Sequence, residues 1–196
     1  MKKVLTDLDM CKNKFVDKTG RKPSGWLGKR MYSNPRAHYT SFRLTLDKLQ
    51  LKPDDIFLEI GGGGGVLLNM ALETVKHAKA IDHSSDMVQI AIEKNQKAVS
   101  EGRVEIVQGN AESLPWGDNS FTCAAAANVF FFIEKPMVVL KELYRVLKPG
   151  GYLLLHQQRI QYYQNCCLRS GLIPCISIKT QIWNPCLSMQ DFKRLR

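Results

Sequence analysis

Short apolar runs alternate along this chain with stretches in which apolar residues recur every three or four positions. The runs predict five strands, at Ile56–Ile60, Ala78–Asp82, Val104–Gln108, Phe121–Ala127 and Tyr152–His156. Between them the helical period predicts helices over Val66–Lys76, Ser84–Ser100 and Pro136–Leu147. In the last of these Leu140, Leu143, Tyr144 and Leu147 fall on one face before Lys148-Pro149-Gly150-Gly151 forbids continuation. Upstream, residues 1–17 read as a helix and 21–35 as a loop. Ser33 or Asn34 is then expected to cap a helix reaching Leu49, with Pro35 in its first turn, and 51–55 is a turn. Downstream, 159–169 read as a helix and 172–179 as a sixth strand. The tail 180–196 shows no convincing strand, leaving a seventh strand doubtful. Strand and helix in alternation imply an α/β fold, a doubly wound and mostly parallel sheet covered on both faces. Residues 1–50 are expected to form an N-terminal helical cap segment on a domain spanning 51–196.

The most specific feature is the passage from the first strand into five consecutive glycines, Gly61 to Gly65, directly before a helix. Glycine admits backbone turns closed to other residues and lets a ligand approach the main chain, so this junction reads as a nucleotide-cofactor site at the carboxyl edge of the sheet. A dinucleotide fingerprint would be G-x-G-x-x-G or G-x-G-x-x-A. Counting from Gly61, Gly62 or Gly63, the sixth position is Val66, Leu67 or Leu68, and the packing glycine is missing. A nicotinamide oxidoreductase is disfavoured accordingly.

The spacing that fits is E-x-G-x-G-x-G: Glu59, Gly61, Gly63 and Gly65. It resembles the first motif of the class I S-adenosylmethionine-dependent methyltransferases, and the resemblance continues in order. KAIDHSSDM (79–87) is similar to their second strand, IVQGNAESLPWGDNSF (106–121) to their third-strand loop, and VLKELYRVLKPGGYLLL (139–155) to the helix, turn and fifth strand of the small-molecule, type 11-like branch. About 100 residues are covered. Asn110 and Thr122 stand where the family usually carries aspartate.

The resemblance implies a Rossmann-like methyltransferase fold and S-adenosylmethionine as cofactor. The Gly61, Gly62 and Gly63 backbone, with Gly65 behind it, would meet the amino-acid tail, and Glu59 its ammonium. Asp82 would accept from two ribose hydroxyls, a role that suits a carboxylate because both partners then donate. Met87 and His83 would flank the adenine, Asn110 would accept from its amine, Ala111 N–H would donate to the ring, and Asn128 completes the set. In that family the acceptor enters over the fourth and fifth strands beneath the N-terminal cap. This places Val129, Phe130, Phe131 and Phe132 beside it, with His38, Tyr39 and Arg43 above, and His156 and Gln157 as further candidates. No motif names a catalytic base.

Composition narrows the class of acceptor. The chain of 196 residues carries a formal charge of +10. The excess lies in the flanks: residues 1–47 hold +7 and 157–196 hold +5, against −2 for 48–156. Basic flanks leave a nucleic-acid acceptor open, and a cofactor-binding pseudo-enzyme is the other alternative. Asn128-Val129-Phe130-Phe131 is not the Asn/Asp-Pro-Pro-aromatic signature of base-methylating enzymes, and the expected acceptor is a small molecule. No apolar run approaches the roughly 18 residues of a membrane span. Asp7 and Asp9 interrupt any signal-like segment, so a cytoplasmic location is expected. The six cysteines form no C-x-x-C pair and read as free thiols, and no metal site is expected. A monomer or homodimer is expected.

Overall fold

The sequence folds around the five predicted strands, described in a computed structural model for residues 38–156 and 181–183. The strands are β1 (Ile56–Ile60), β2 (His77–Asp82), β3 (Val104–Gln108), β4 (Phe121–Ala127) and β5 (Leu147–His156). They are parallel and lie in the order β3-β2-β1-β4-β5, with β1 at the centre against β2 and β4. A sixth strand, β6 (Gln181–Trp183), runs antiparallel beside β5, pairing Leu154 with Ile182. It falls in the tail for which no strand was expected. Three residues are too few to show an alternating pattern, and pairing with β5 supplies what local sequence does not. The predicted helices at 1–17 and 159–169, the loop at 21–35, the strand at 172–179, Ser33, Asn34 and Gln157 lie outside the described residues.

The pleat sorts side chains between two cores. On one face Phe57, Ala78, Ala80, Cys123, Ala125 and Leu154 pack beneath α1 (Tyr39–Leu49) and α2 (Val66–Ala71). On the other, Leu58, Ile60, Ala124, Ala126 and Leu153 meet Val139, Leu140, Leu143 and Val146 of α5 (Pro136–Val146). A strand covered on both faces needs no polar positions, which explains the four alanines of β4. Burial pushes the Cys123 thiol up to about 12, so it is a packing residue rather than a nucleophile.

Three boundaries depart from the sequence reading. Helix α2 stops at Ala71 and hands over to turns instead of reaching Lys76. Strand β5 starts at Leu147, where Phe121 pairs with Leu147 but Cys123 with Tyr152, so Lys148 to Gly151 bulge out of register. The single helix predicted over Ser84–Ser100 is two, α3 (Ser85–Lys94) and α4 (Gln96–Ser100), broken at Asn95. Asn95 is buried, and its amide donates to the carbonyls of Ala91 at 2.8 Å and Gly65 at 3.1 Å while its oxygen accepts from Asn69 at 3.0 Å. The break thus fastens α3 to the glycine turn. Asparagine is a poor helix-interior residue because its side chain competes for backbone partners, and here that competition is used.

Asn95→Ala removes three side-chain hydrogen bonds, those to the Ala91 and Gly65 carbonyls and the one from Asn69, and is expected to cost roughly 2–4 kcal/mol of folding stability in urea denaturation. A loss below about 0.5 kcal/mol, the level of an ordinary surface substitution, would refute the assignment.

Candidate functional site

At the end of β1 the chain must reverse into α2 while pressed between β2 and β4. Gly61, Gly63 and Gly65 hold φ of +67°, +49° and +70°, the three glycines of the E-x-G-x-G-x-G spacing. A side chain at Gly61 would sit 2.4 Å from Val129 Cγ2, and one at Gly65 would sit 2.8 Å from Ala91 Cα. The turn is tied to β2 by Gly61 N–H and Gly62 N–H, which donate to the Ile81 carbonyl at 2.9 and 3.3 Å.

Two acidic side chains flank this turn. Glu59 is 3% exposed and its Oε2 has no hydrogen-bond partner among the described residues. Burial, reinforced by the charge of Asp82, pushes its carboxyl up to about 8, against a hydrogen bond from the Leu68 backbone that pulls the other way. Asp82 is fully engaged on its inner side. Its Oδ2 accepts from Gly63 N–H and its Oδ1 from Ser84 N–H, both at 2.9 Å, and the exposed His83 ring lies 3.5 Å from Oδ1. Each oxygen retains a second lone pair for a ligand hydroxyl. The structure therefore gathers Glu59, Gly61, Gly62, Gly63 and Asp82 around one turn with Gly65 supporting it.

The remaining cofactor candidates lie around this turn with different degrees of freedom. Asn110, exposed after β3, already accepts the Glu112 N–H at 3.0 Å through its side-chain oxygen. Ala111 is half-buried beside it and packs on the core. Met87 is 1% exposed, an interior residue of α3 in this state. Gly109, which the sequence reading passed over, brings β3 against Asp82, donating to its carbonyl at 2.9 Å. Arg145 was passed over as well. It donates to the carbonyls of Leu114 and Trp116 at 3.1 and 2.9 Å and pairs with Glu142, pinning the Leu114-Pro115-Trp116 segment to α5. Its signal was only an arginine within a helix, which surface charge explains equally well.

Asn128 is drawn into a second cluster. It ends β4 in the left-handed region with φ +58°, a conformation asparagine tolerates better than most residues. Its Nδ2 lies 3.1 Å from Ser41 Oγ and 3.3 Å from His38 Nδ1, both on the start of α1. His156, 6% exposed at the end of β5, meets Ser41 Oγ at 3.4 Å and Thr45 Oγ1 at 2.7 Å. With the Thr45 proton placed on the Ser41 carbonyl at 2.8 Å, His156 Nδ1 carries the hydrogen and donates to Thr45. Burial, with Lys48 adding to it, lowers the His156 pKa, and burial alone lowers that of His38. Phe130 to Phe132 form a 3-10 turn beyond Val129; Phe130 and Phe132 are half-buried, and the Phe131 side chain lies outside the described residues. Tyr39 is half-buried in the first turn of α1, and Arg43 is exposed.

With this geometry in view, similarity to known proteins is informative. A family model described as a methyltransferase domain matches residues 58–155. The ubiquinone/menaquinone biosynthesis C-methyltransferase UbiE of Escherichia fergusonii is 36% identical over 117 residues, covering 58% of this chain and 46% of that protein. Its namesake in Vibrio cholerae is 33% identical over 116 residues, covering 58% and 45%. Among solved structures, a SAM-dependent methyltransferase from Aquifex aeolicus gives a TM-score of 0.57 at 27% identity, covering 65% of this chain and 69% of that one. The YcgJ protein of Bacillus subtilis gives 0.54 at 28%, covering 60% and 50%. The chain spans about half the length of the curated relatives it matches.

The buried imidazole of His156 makes the docking of α1 depend on acidity. Its folded pKa lies below the ordinary 6.5, so the unfolded chain takes up the proton more readily. Its contribution is complete above pH 6.5 and shrinks as pH falls below that value toward the folded pKa. Glu59, with its pKa raised from 4.5 to about 8, acts with the opposite sign, losing its contribution as pH rises through that range. The difference in stability between wild type and His156→Gln isolates the histidine: it is expected to narrow on acidification below 6.5 in urea titrations at fixed pH. A difference independent of pH would contradict a neutral buried His156.

Proposed function

Because the chain belongs to the methyltransferase-domain family, we propose that it moves the methyl group of S-adenosylmethionine to a small-molecule acceptor. The observation that carries the reading is Glu59, a buried carboxyl with an orphaned oxygen above a turn that leaves no room for side chains. An uncompensated carboxyl in the interior is costly, and a ligand ammonium would remove the cost. The glycine turn beside it exposes main chain rather than side chain, which suits an amino-acid tail. Asp82 keeps lone pairs for ribose hydroxyls while its inner contacts hold it still. Asn110, Ala111 and His83 are the groups available to adenine at the adjoining strand ends. Met87 would pack against the adenine only after a rotamer change, since it is interior here.

The cofactor, when bound, supplies a methyl group already activated by a sulfonium. The task left to the chain is alignment, an effect that can contribute on the order of 7–11 kcal/mol. Val129, Phe130 and Phe132 offer an apolar boundary at the end of β4, with Tyr39 on the helix above and Phe131 in the same turn. The curated relatives are named as C-methyltransferases of quinone biosynthesis. That name and this boundary support an apolar, oxygen-bearing ring as the acceptor class here. No helix among the described residues is long and apolar enough to cross a membrane. We assign the reaction to the cytoplasm, with the chain acting as a monomer or homodimer.

Two measurements test the reading. Glu59 begins protonated at neutral pH and should ionise against the ligand ammonium. Calorimetry in buffers of different ionisation enthalpy should therefore show wild type releasing protons on binding S-adenosylmethionine at pH 7. Glu59→Gln should release none and bind about 10- to 100-fold more weakly. Asp82→Ala should weaken binding by roughly 2–3 kcal/mol, as expected for unpairing hydrogen bonds to a charged group. Absence of binding by wild type would end the proposal.

A further inference from the structure

Of the polar side chains buried at the strand ends, those of α1 and of the ends of β4 and β5 are not accounted for by the cofactor. Thr45, His156, Ser41, Asn128 and His38 form one connected chain of hydrogen-bonding groups. Proton bookkeeping fixes its direction. His156 holds its hydrogen at Nδ1, so a neutral ring accepts at Nε2, and the group there is Ser41 Oγ at 3.4 Å. Ser41, donating to His156, must accept from Asn128 Nδ2, and the second hydrogen of that amide meets His38 Nδ1. His38 Nδ1 is then an acceptor, and the proton of its neutral ring sits on Nε2.

The opposite orientation of the Asn128 amide fails. Ser41 would then donate to the amide oxygen, leaving its lone pairs facing those of His156 Nε2 unless that buried imidazole were charged. Two neutral histidines in opposite tautomers is the arrangement that gives each contact along this chain one donor and one acceptor. His38 itself is half-buried and stacked on Phe42 with ring centroids 6.0 Å apart, and its Nε2 has no partner among the described residues. The residue following Asn128 is Val129, which abuts Gly61 in the cofactor turn.

We propose that His38 presents a fixed Nε2–H donor to an oxygen of the methyl acceptor, with Asn128, Ser41, His156 and Thr45 as positioning residues that set its tautomer. The acceptor class this selects is an aryl or enol oxyanion, whose oxygen takes the donor, rather than a protonated amine, which has no lone pair to offer. The assignment rests on the methyltransferase reading and deepens its substrate side. In the transfer the acceptor's electron pair forms the new bond to carbon, and the sulfur keeps the pair of the bond that breaks. When the nucleophile is a ring carbon, its hydrogen leaves afterwards as a proton to water. His38 neither gains nor loses a proton.

The test has two parts on the full chain. Ring nitrogen-15 spectra at neutral pH, assigned by single-histidine variants, should show His156 protonated at Nδ1 and His38 at Nε2. Asn128→Asp, which replaces the amide donor by an acceptor, should move the His38 proton to Nδ1. Separately, 4-nitrophenolate serves as an oxyanion probe for protein saturated with adenosylhomocysteine. His38→Phe, which keeps the ring stack but lacks the donor, should weaken its binding about 10- to 100-fold while leaving adenosylhomocysteine affinity within about twofold. His156 protonated only at Nε2, an unchanged tautomer in Asn128→Asp, or equal probe binding by His38→Phe would overturn the proposal. Failure of adenosylhomocysteine to bind wild type is a different result. It removes the methyltransferase reading and leaves the tautomer prediction standing.

Discussion

The contact on which the rest of the site depends is made by bare backbone: the glycine turn after β1 lies against the end of β2 and the residues that follow β4. Toward β2 it donates two hydrogen bonds to Ile81, toward β4 it touches Val129, and behind it α3 closes on Gly65. Nothing larger than hydrogen fits at Gly61 or Gly65. A methyl group there would impose both a disfavoured positive φ and a clash below 3 Å. Because the turn is thin, Glu59, from inside the sheet, comes within electrostatic reach of Asp82 from the next strand.

That proximity has an electrostatic consequence. Burial does the larger part in raising Glu59 and the neighbouring Asp82 adds to it, so Glu59 resists ionising at this place. Asp82 keeps its charge within reach of two main-chain N–H donors, whereas Glu59 has an oxygen with none. The two carboxyls beside the turn therefore differ: Asp82 accepts two main-chain N–H groups, and Glu59 has an orphaned oxygen. A zwitterionic ligand tail beside a ribose diol matches that division better than a phosphate would. A phosphate would bring further negative charge against Asp82.

Much of this was legible in the sequence, for physical reasons that differ from residue to residue. The glycine spacing announced which three positions adopt positive φ, because few other residues tolerate it. Strand positions followed from apolar runs buried on both faces. Less legible were features fixed by tertiary contact. Asn95 reads as one more residue of a long amphipathic helix until Gly65 is known to lie opposite its amide. Strand β6 is visible only through its pairing with β5. Thr122, where the resembled family has aspartate, accepts from Ile56 N–H and donates to Asp55, a structural staple between the starts of β1 and β4. The departure from the pattern thus falls on a packing position and leaves the glycine turn untouched.

The dipeptide Asn128-Val129 joins the two halves of the site. Because Asn128 adopts the left-handed conformation, its side chain turns to α1 while the next residue packs on Gly61. The backbone N–H of Asn128 is held by the His156 carbonyl at 2.7 Å, so the dipeptide cannot shift without disturbing β5 as well. Any displacement of the glycine turn toward β4 must press on Val129 and be passed through Asn128 to Ser41 and His38. The glycine turn and α1 are consequently linked through this one dipeptide. A ligand that settles the turn would settle the polar chain beside it, with no contact of its own to α1.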